Sequence, residues 1–308
     1  MTKKKVETPI EMNGSSILAN KVDFAAIISA TMCNPNGDPQ DDNRPRVIYL
    51  GPEIKGLISD VCIKRKMRNY MAAMGYDILA RTPDTADGFK SKEERVAALG
   101  ESLVDVTQDS LNKAVCEKYV DARTFGDVTF LKNTLKVAKK IPACKVHGPV
   151  TIQQALSVCP VEIIELSITK AENGVKGEDS EEMSSDRMGT RSIVPFGCYL
   201  VKGSINVPLA EKTGFTVQDA ELLKQSLCNM FLVDASTSRP EGSMNVERVF
   251  WWEHNNRYGQ VPAKKLYEAI KIEPIGAEIM SMADLNISVE PVFDSTGNEV
   301  SCEDIICG

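Results

Sequence analysis

The apolar positions of this chain fall into short blocks divided by long polar stretches, and their spacing alternates between strand-like and helical. Residues 21–32 (KVDFAAIISATM) form an apolar run bounded by polar residues, which predicts a buried strand. Residues 33–52 are dense in Asn, Pro, Asp and Gly and predict a long loop. Long ordered loops in compact domains usually carry function. Residues 53–74 predict a helix with two apolar stripes. One holds Ile54, Ile58 and Val61; the other, on the opposite side, holds Ile63, Met67, Tyr70 and Met74. Lys64, Arg65 and Arg68 continue the first stripe, so one face turns from apolar to basic along its length.

Residues 75–147 alternate helical stretches (92–99 and 108–118) with loops, and 119–130 (YVDARTFGDVTF) has strand character. The apolar content is thin, which predicts an insertion rather than a self-contained domain. Residues 148–157 and 161–169 predict strands broken at Pro160. A hydrophilic stretch at 171–187 separates the latter from strand-like 191–207, the pattern of a projecting hairpin with a long polar tip. Residues 216–231 predict the clearest helix. Thr216 is its N-cap, Asp219 completes a capping box, and Ala220, Leu223, Leu227, Met230 and Phe231 face the core. A strand at 246–254 and a helix at 262–272, with Pro near its first turn, follow. With the insertions removed the order is close to β-α-β-β-α-β, an α+β ferredoxin-like or RRM-like arrangement. The sheet face of such folds is a common RNA platform.

Composition narrows the options. The 308 residues are 43% hydrophobic and 26% charged, ordinary for a globular chain. No apolar run approaches the ~20 residues of a membrane helix, and no apolar block follows Lys3, Lys4 and Lys5, so a cytoplasmic protein is expected. Nine cysteines without a C-x-x-C pair predict free thiols in a reducing compartment and no structural zinc. Net charge is −7, yet it is unevenly spread. Residues 272–308 hold eight acids and no Lys or Arg, whereas residues 1–70 hold eleven Lys or Arg against eight acids. A local basic surface on an acidic protein is compatible with that asymmetry.

Signs of catalysis are few. The two histidines, His147 beside a Gly-Pro turn and His254 in WWEHN, fit surface or capping roles, and no GxGxxG, Walker A, HExxH or GxSxG motif occurs. Asp38, Asp41 and Asp42 in the loop after the first strand could hold Mg²⁺ near a phosphate. Arg44 and Arg46 in the same loop would neutralise them.

The segment CNPNGDPQDDNRPRV (33–47), closing a strand and preceding a helix, resembles the signature of CRISPR-associated backbone subunits of the Cascade surveillance complex. DVCIKRKMRNY (60–70) resembles the first helix of the subtype I-C branch. Further similarity runs in order through 147–163, 186–215, 222–231 and 262–273. The resemblance implies an RRM-like palm over 21–275, with a finger-like insertion at 75–147 and a β-hairpin thumb at 166–195. Residues 1–20 would be a disordered N-terminal segment, and 276–308 an acidic segment packed on or beside the palm. It also implies a non-catalytic protein without cofactor or membrane partner. Its copies would stack head to tail along a guide RNA (crRNA) with other Cascade subunits, and the guide would pair with target DNA.

A subunit that accepts any guide must hold phosphate backbone rather than bases. Arg44, Arg46, Lys64, Arg65 and Arg68 are suitable cations. Asn34, Asn36 and Gly37 offer amides and a permissive backbone, and Met188, Gly189 and Arg191 put an apolar wedge beside a cation at the hairpin base. The stacking aromatics of RRM proteins are absent from Val201, Lys202, Gly203, Ser204 and Ile205, which favours backbone-led binding. Related subunits of type III complexes cut RNA with an Asp in the loop after the first strand. That leaves a ribonuclease centred on Asp38 as the alternative.

Overall fold

The computed structural model describes residues 16–81, 87–131, 140–169 and 188–307, without the side chains of Thr169 and Met188. The strand β1 (Val22–Cys33) is followed by the short pieces β2 (Gly37–Asp38), β3 (Arg44–Pro45), β4 (Val47–Leu50) and β5 (Glu53–Ile58), then by helix α1 (Asp60–Ala73). The insertion holds α2 (Lys92–Ser102), α3 (Gln108–Lys118), α4 (Val120–Phe125), β6 (Asp127–Thr129) and β7 (Cys144–Val146). Next come β8 (Val150–Ile152), β9 (Ala155–Pro160), β10 (Ile164–Thr169) and the 18-residue β11 (Met188–Ile205). The chain ends with α5 (Val207–Thr213), α6 (Val217–Asn229), β12 (Met244–Glu253), α7 (Ala263–Ala269), β13 (Ile270–Pro274), β14 (Leu285–Val289) and β15 (Cys302–Ile306).

The main sheet runs β15-β12-β1-β11-β9-β5-β4, with β8 and β10 pairing β11 at its two ends. Strand β1 lies antiparallel between β11 and β12. Its alternate side chains explain why the run is largely apolar toward both faces; its buried polar residues, Asp23 and Ser29, bond to His254 and Glu247. Phe24, Ala26, Ile28 and Ala30 pack toward α1 and α6, where Ile63, Met67, Leu223 and Leu227 meet them. Ala25 and Ile27 face the other way, into a cluster with Phe250, Trp252, Val261, Leu266, Ile270, Leu285 and Val300. A strand covered on both faces needs no polar alternation. The second face is therefore roofed by the C-terminal elements, which removes it as an open platform.

Several sequence expectations are corrected. The helix expected from residue 53 starts at Asp60, capped by Ser59, and residues 53–58 are strand β5. Gly56 supplies the reason: an added Cβ would lie 2.5 Å from the Tyr199 hydroxyl, so the backbone passes against a buried ring. Of the first stripe, Ile58 is buried but Val61 is 68% exposed. Half of residues 119–130 is helix α4, and only β6 is extended. The insertion has its own small core, in which Leu79, Val96, Leu111, Val115 and Tyr119 pack together. The C-terminal helix stops at Ala269, and its expected last turn is β13.

The capping box of Thr216 and Asp219 forms as the pattern predicts. Of the N-terminal segment, residues 1–15 lie outside the described residues, while Ile17 bridges to Thr216 and Leu18 is buried. His254 is buried rather than superficial. Its Nε2 lies 2.8 Å from Asp23 Oδ2, and the Gln260 backbone N–H donates to Nδ1 at 3.0 Å, so the neutral ring carries its hydrogen on Nε2. It fastens the turn after β12 to the start of β1. Cys228 on α6 and Cys307 beyond β15 are joined in a disulfide, Cα–Cα 5.3 Å, because α6 and β15 both lie against β12. That corrects the expectation of free thiols for this pair; the other seven are free. Among the described residues no helix is long and apolar enough to cross a membrane.

Candidate nucleic-acid interface

The loop after β1 is a small hairpin rather than an open coil. Gly37 pairs with Pro45 and Asp38 with Arg44, and the turn needs left-handed backbone at Asp42 (φ 45°) and Asn43 (φ 56°). Gly37 has no room for a side chain, since a Cβ would sit 2.9 Å from the Asn43 carbonyl oxygen. Asn34 is buried and its amide donates to that same carbonyl at 2.5 Å. Asn36 accepts from the backbone N–H of Ser59 at 2.9 Å and so fixes the loop to the N-terminus of α1. Both asparagine side chains thus shape the loop from inside.

The nominated cations divide into groups. Arg44 Nη2 lies 2.6 Å from Glu165 on β10, and Arg46 Nη2 lies 3.3 Å from Asp38. Each keeps a buried Nε–H that finds no acceptor among the described residues. Lys64 pairs with Asp60 one turn earlier on α1, at 3.0 Å. Arg68 is largely committed to architecture. Its Nε donates to the buried Asp121 at 2.9 Å, its guanidinium lies 5.0 Å from the Phe125 ring centroid, and Asp121 also accepts from the backbone of Leu79 and Ala80. Arg68 therefore pins the insertion to α1. Among the described residues Arg65 forms no ion pair; it donates to the Ala80 carbonyl oxygen, and burial lowers its pKa, with Arg68 alongside adding to the effect and Asp121 opposing it.

Asp38 is equally occupied. One carboxylate oxygen accepts from the Gln40 backbone N–H and from Arg46, and among the described residues no three His, Cys, Asp or Glu side chains gather. The acids at 38, 41 and 42 serve the turn.

Arg65 and Arg68 share a groove of about 750 Å³ with Lys66, Asn69, Arg81, Asp234 and Arg239. Its far wall is the loop between α6 and β12, at 230–243, which sequence reasoning passed over as a connector. That loop reaches three nominated elements. Asp234 pairs with buried Lys66 of α1, the Ser238 carbonyl accepts from Asn34 N–H at 3.0 Å, and the Thr237 carbonyl accepts from Arg191. Cys62 records the convergence: burial raises its thiol pKa, while Lys66, Arg239 and Arg46 pull it down. Nothing in the polar stretch STSRPEGS signals that it folds back onto Asn34, because the contact spans some 200 positions.

At the hairpin base Gly189 faces Ile168 and Arg191 faces Leu166, with Leu166 and Ile168 each about half exposed. The expected wedge, Met188, is placed by its backbone at the start of β11; its side chain and the expected polar tip, 171–187, lie outside the described residues.

Fold and groove together define a mixed helix-and-sheet protein with cations gathered between its first helix and a late loop. Residues 20–290 match the family described as CRISPR-associated protein Cas7, and the chain belongs to that family. A CRISPR-associated protein Cas7 from Haloferax volcanii is 27% identical over 236 residues, 71% of this chain and 66% of the relative, so the alignment falls just short of two thirds of that protein. One solved structure, described as a CRISPR RNA-guided surveillance complex in a pre-nicking state, has a TM-score of 0.40 and 13% identity, covering 75% of this chain and 77% of its own. Another, a CRISPR RNA-guided surveillance complex, has a TM-score of 0.39 and 17% identity, covering 75% and 68%.

Proposed function

We propose that this chain is the repeated, non-catalytic backbone subunit of a subtype I-C Cascade, binding guide RNA by its phosphates and stacking with further copies and other subunits so that the guide can pair with target DNA. One observation carries the reading. On a chain of net charge −7, Arg65, Lys66, Arg68, Arg81 and Arg239 line one groove, with Asp234 as the acid among them and Asp121 behind. Such a concentration favours a polyanion. Arg44 and Arg46, on the loop after β1, keep part-exposed side chains that suit phosphate oxygens, which accept charged hydrogen bonds well.

On this reading β12-β1-β11-β9, with α1 and α6 on one face, is the RRM-like palm. The insertion is the finger, β10 with the start of β11 is the thumb, and the C-terminal segment is the cover of the palm's second face. That cover explains why stacking aromatics are dispensable: bases cannot reach the roofed sheet, and the groove lies on the helix side. Family membership supports the backbone-subunit reading, and the subtype rests on the similarity of residues 60–70 to the first helix of the I-C branch.

The test is direct. Natively purified protein should carry nucleic acid, read as a raised 260/280 nm absorbance ratio. Stripped protein should bind single-stranded RNA of unrelated sequences alike, more tightly as length grows. Binding that depends on base sequence, or is absent at low salt, would overturn the assignment.

A further inference from the structure

Arg239 sits on the loop between α6 and β12, outside every motif that pointed to function. Its Nε lies 3.2 Å from Asp234 Oδ2, and its Nη1 comes within 3.5 Å of the Asn34 carbonyl oxygen. Asp234 is shared, since the same oxygen takes Lys66. The two cations differ in access. The Lys66 side chain is 3% exposed and stacks toward the Phe231 ring, whereas Arg239 is 24% exposed and lines the groove. A phosphate entering the groove can reach the guanidinium but not the ammonium. Asp234 keeps a buried partner in Lys66 whether or not Arg239 turns toward another anion. An Arg fork with one edge held by a carboxylate still offers its remaining N–H groups to a second acceptor.

We propose that Arg239 is a phosphate-binding residue of the groove, supplied by the loop at 230–243, and that Asp234 is the positioning residue that holds it aimed there between Lys66 and Asn34. This rests on the RNA-binding reading above and adds an element to it: the wall opposite α1 takes part in binding. It also gives the loop a reason to be tied at once to Asn34, Arg191 and α1, because a cation on an untethered loop would lose most of its contact to ordering entropy.

The experiment is a salt titration of RNA affinity, by fluorescence anisotropy, with a fluorescein-labelled single-stranded RNA of mixed sequence, for wild type, Arg239→Ala and Arg239→Lys. Each phosphate neutralised on a single strand contributes about 0.7 to the slope of log affinity against log salt. Arg239→Ala should flatten the slope by about that amount, so the affinity lost between about 50 and 200 mM salt shrinks by roughly 2.5-fold. Arg239→Lys should keep the wild-type slope while binding less tightly, because the charge stays and the fork is lost. If Arg239 merely braced the loop, Arg239→Ala would weaken binding equally at every salt concentration with the slope unchanged, and that result would overturn the inference. Absence of salt-dependent binding by the wild type would instead defeat the RNA-binding reading itself, so the two failures are distinguishable.

Discussion

Arg123 of α4 and Asp219 of α6 meet as a bidentate pair, Nε to Oδ2 at 2.9 Å and Nη2 to Oδ1 at 2.7 Å, with both side chains buried. Asp219 is also the capping-box acid, accepting from the Thr216 backbone N–H, so one carboxylate starts α6 and anchors the insertion. Replacing Arg123 with Met leaves that carboxylate buried with part of its hydrogen bonding lost. Removing one partner of a buried pair costs about 3–5 kcal/mol. Arg123→Met should lower the urea midpoint accordingly, and an unchanged midpoint would mean that the insertion docks without this pair.

Gly56 makes a second, purely steric prediction. An added methyl would sit 2.5 Å from the Tyr199 hydroxyl and 2.8 Å from its ring, and Tyr199 is 1% exposed. Overpacking of this kind costs about 1–3 kcal/mol. Gly56→Ala should therefore lower the thermal midpoint, whereas Gly51→Ala, where a Cβ meets open space, should show only the smaller cost of a positive φ.

The nominated basic residues should separate in two assays. Arg68→Ala removes a partner of buried Asp121 and should cost about 1.5–3 kcal/mol of stability, the range for hydrogen bonds to charged groups. The double change Arg65→Ala, Arg81→Ala leaves no carboxylate stranded among the described residues. It should leave the thermal midpoint close to wild type while weakening RNA binding and flattening its salt dependence. Equal behaviour of the two variants in both assays would contradict this division.

Alkaline pH should destabilise the fold. Burial pushes the thiols of Cys144 and Cys198 up to about 12, and that of Cys116 up to about 11, from an ordinary 9.0. The folded chain holds these protons more tightly than the unfolded chain. The stabilisation is thus fully present below pH 9 and is lost as the pH rises toward the folded values. The urea midpoint should fall between about pH 9 and pH 12, and less so in a Cys144→Ala, Cys198→Ala variant compared with its own value at the lower pH.

Asp38 offers a last check. Its carboxylate is engaged by the Gln40 backbone N–H and by Arg46. Labelled RNA incubated with the protein and Mg²⁺ or Mn²⁺ should stay intact, and Asp38→Asn should alter loop rigidity rather than any cleavage. Cleavage abolished by that substitution would restore the ribonuclease reading.

Local pattern was enough for much of this chain. Strand β1 declared itself by a largely apolar run, α3 by its helical stretch, α6 by its period and its Thr216–Asp219 cap, and the loop from residue 33 by its density of Asn, Pro, Asp and Gly. Those signals are encoded within one or two turns of chain, where spacing and side-chain type suffice. What surrounds each element was decided elsewhere. Residues 53–58 carry helical spacing but extend, because β9 and the Tyr199 ring are waiting across the sheet. Arg68 looks like an open cation until the insertion delivers Asp121 to it, and Arg239 looks like a connector residue until its loop closes on Asn34 and Asp234. Charge pairing and burial depend on neighbours far away in the chain, so composition and periodicity could say that a basic surface was possible here, but only the folded arrangement could say which cations remain available to a partner.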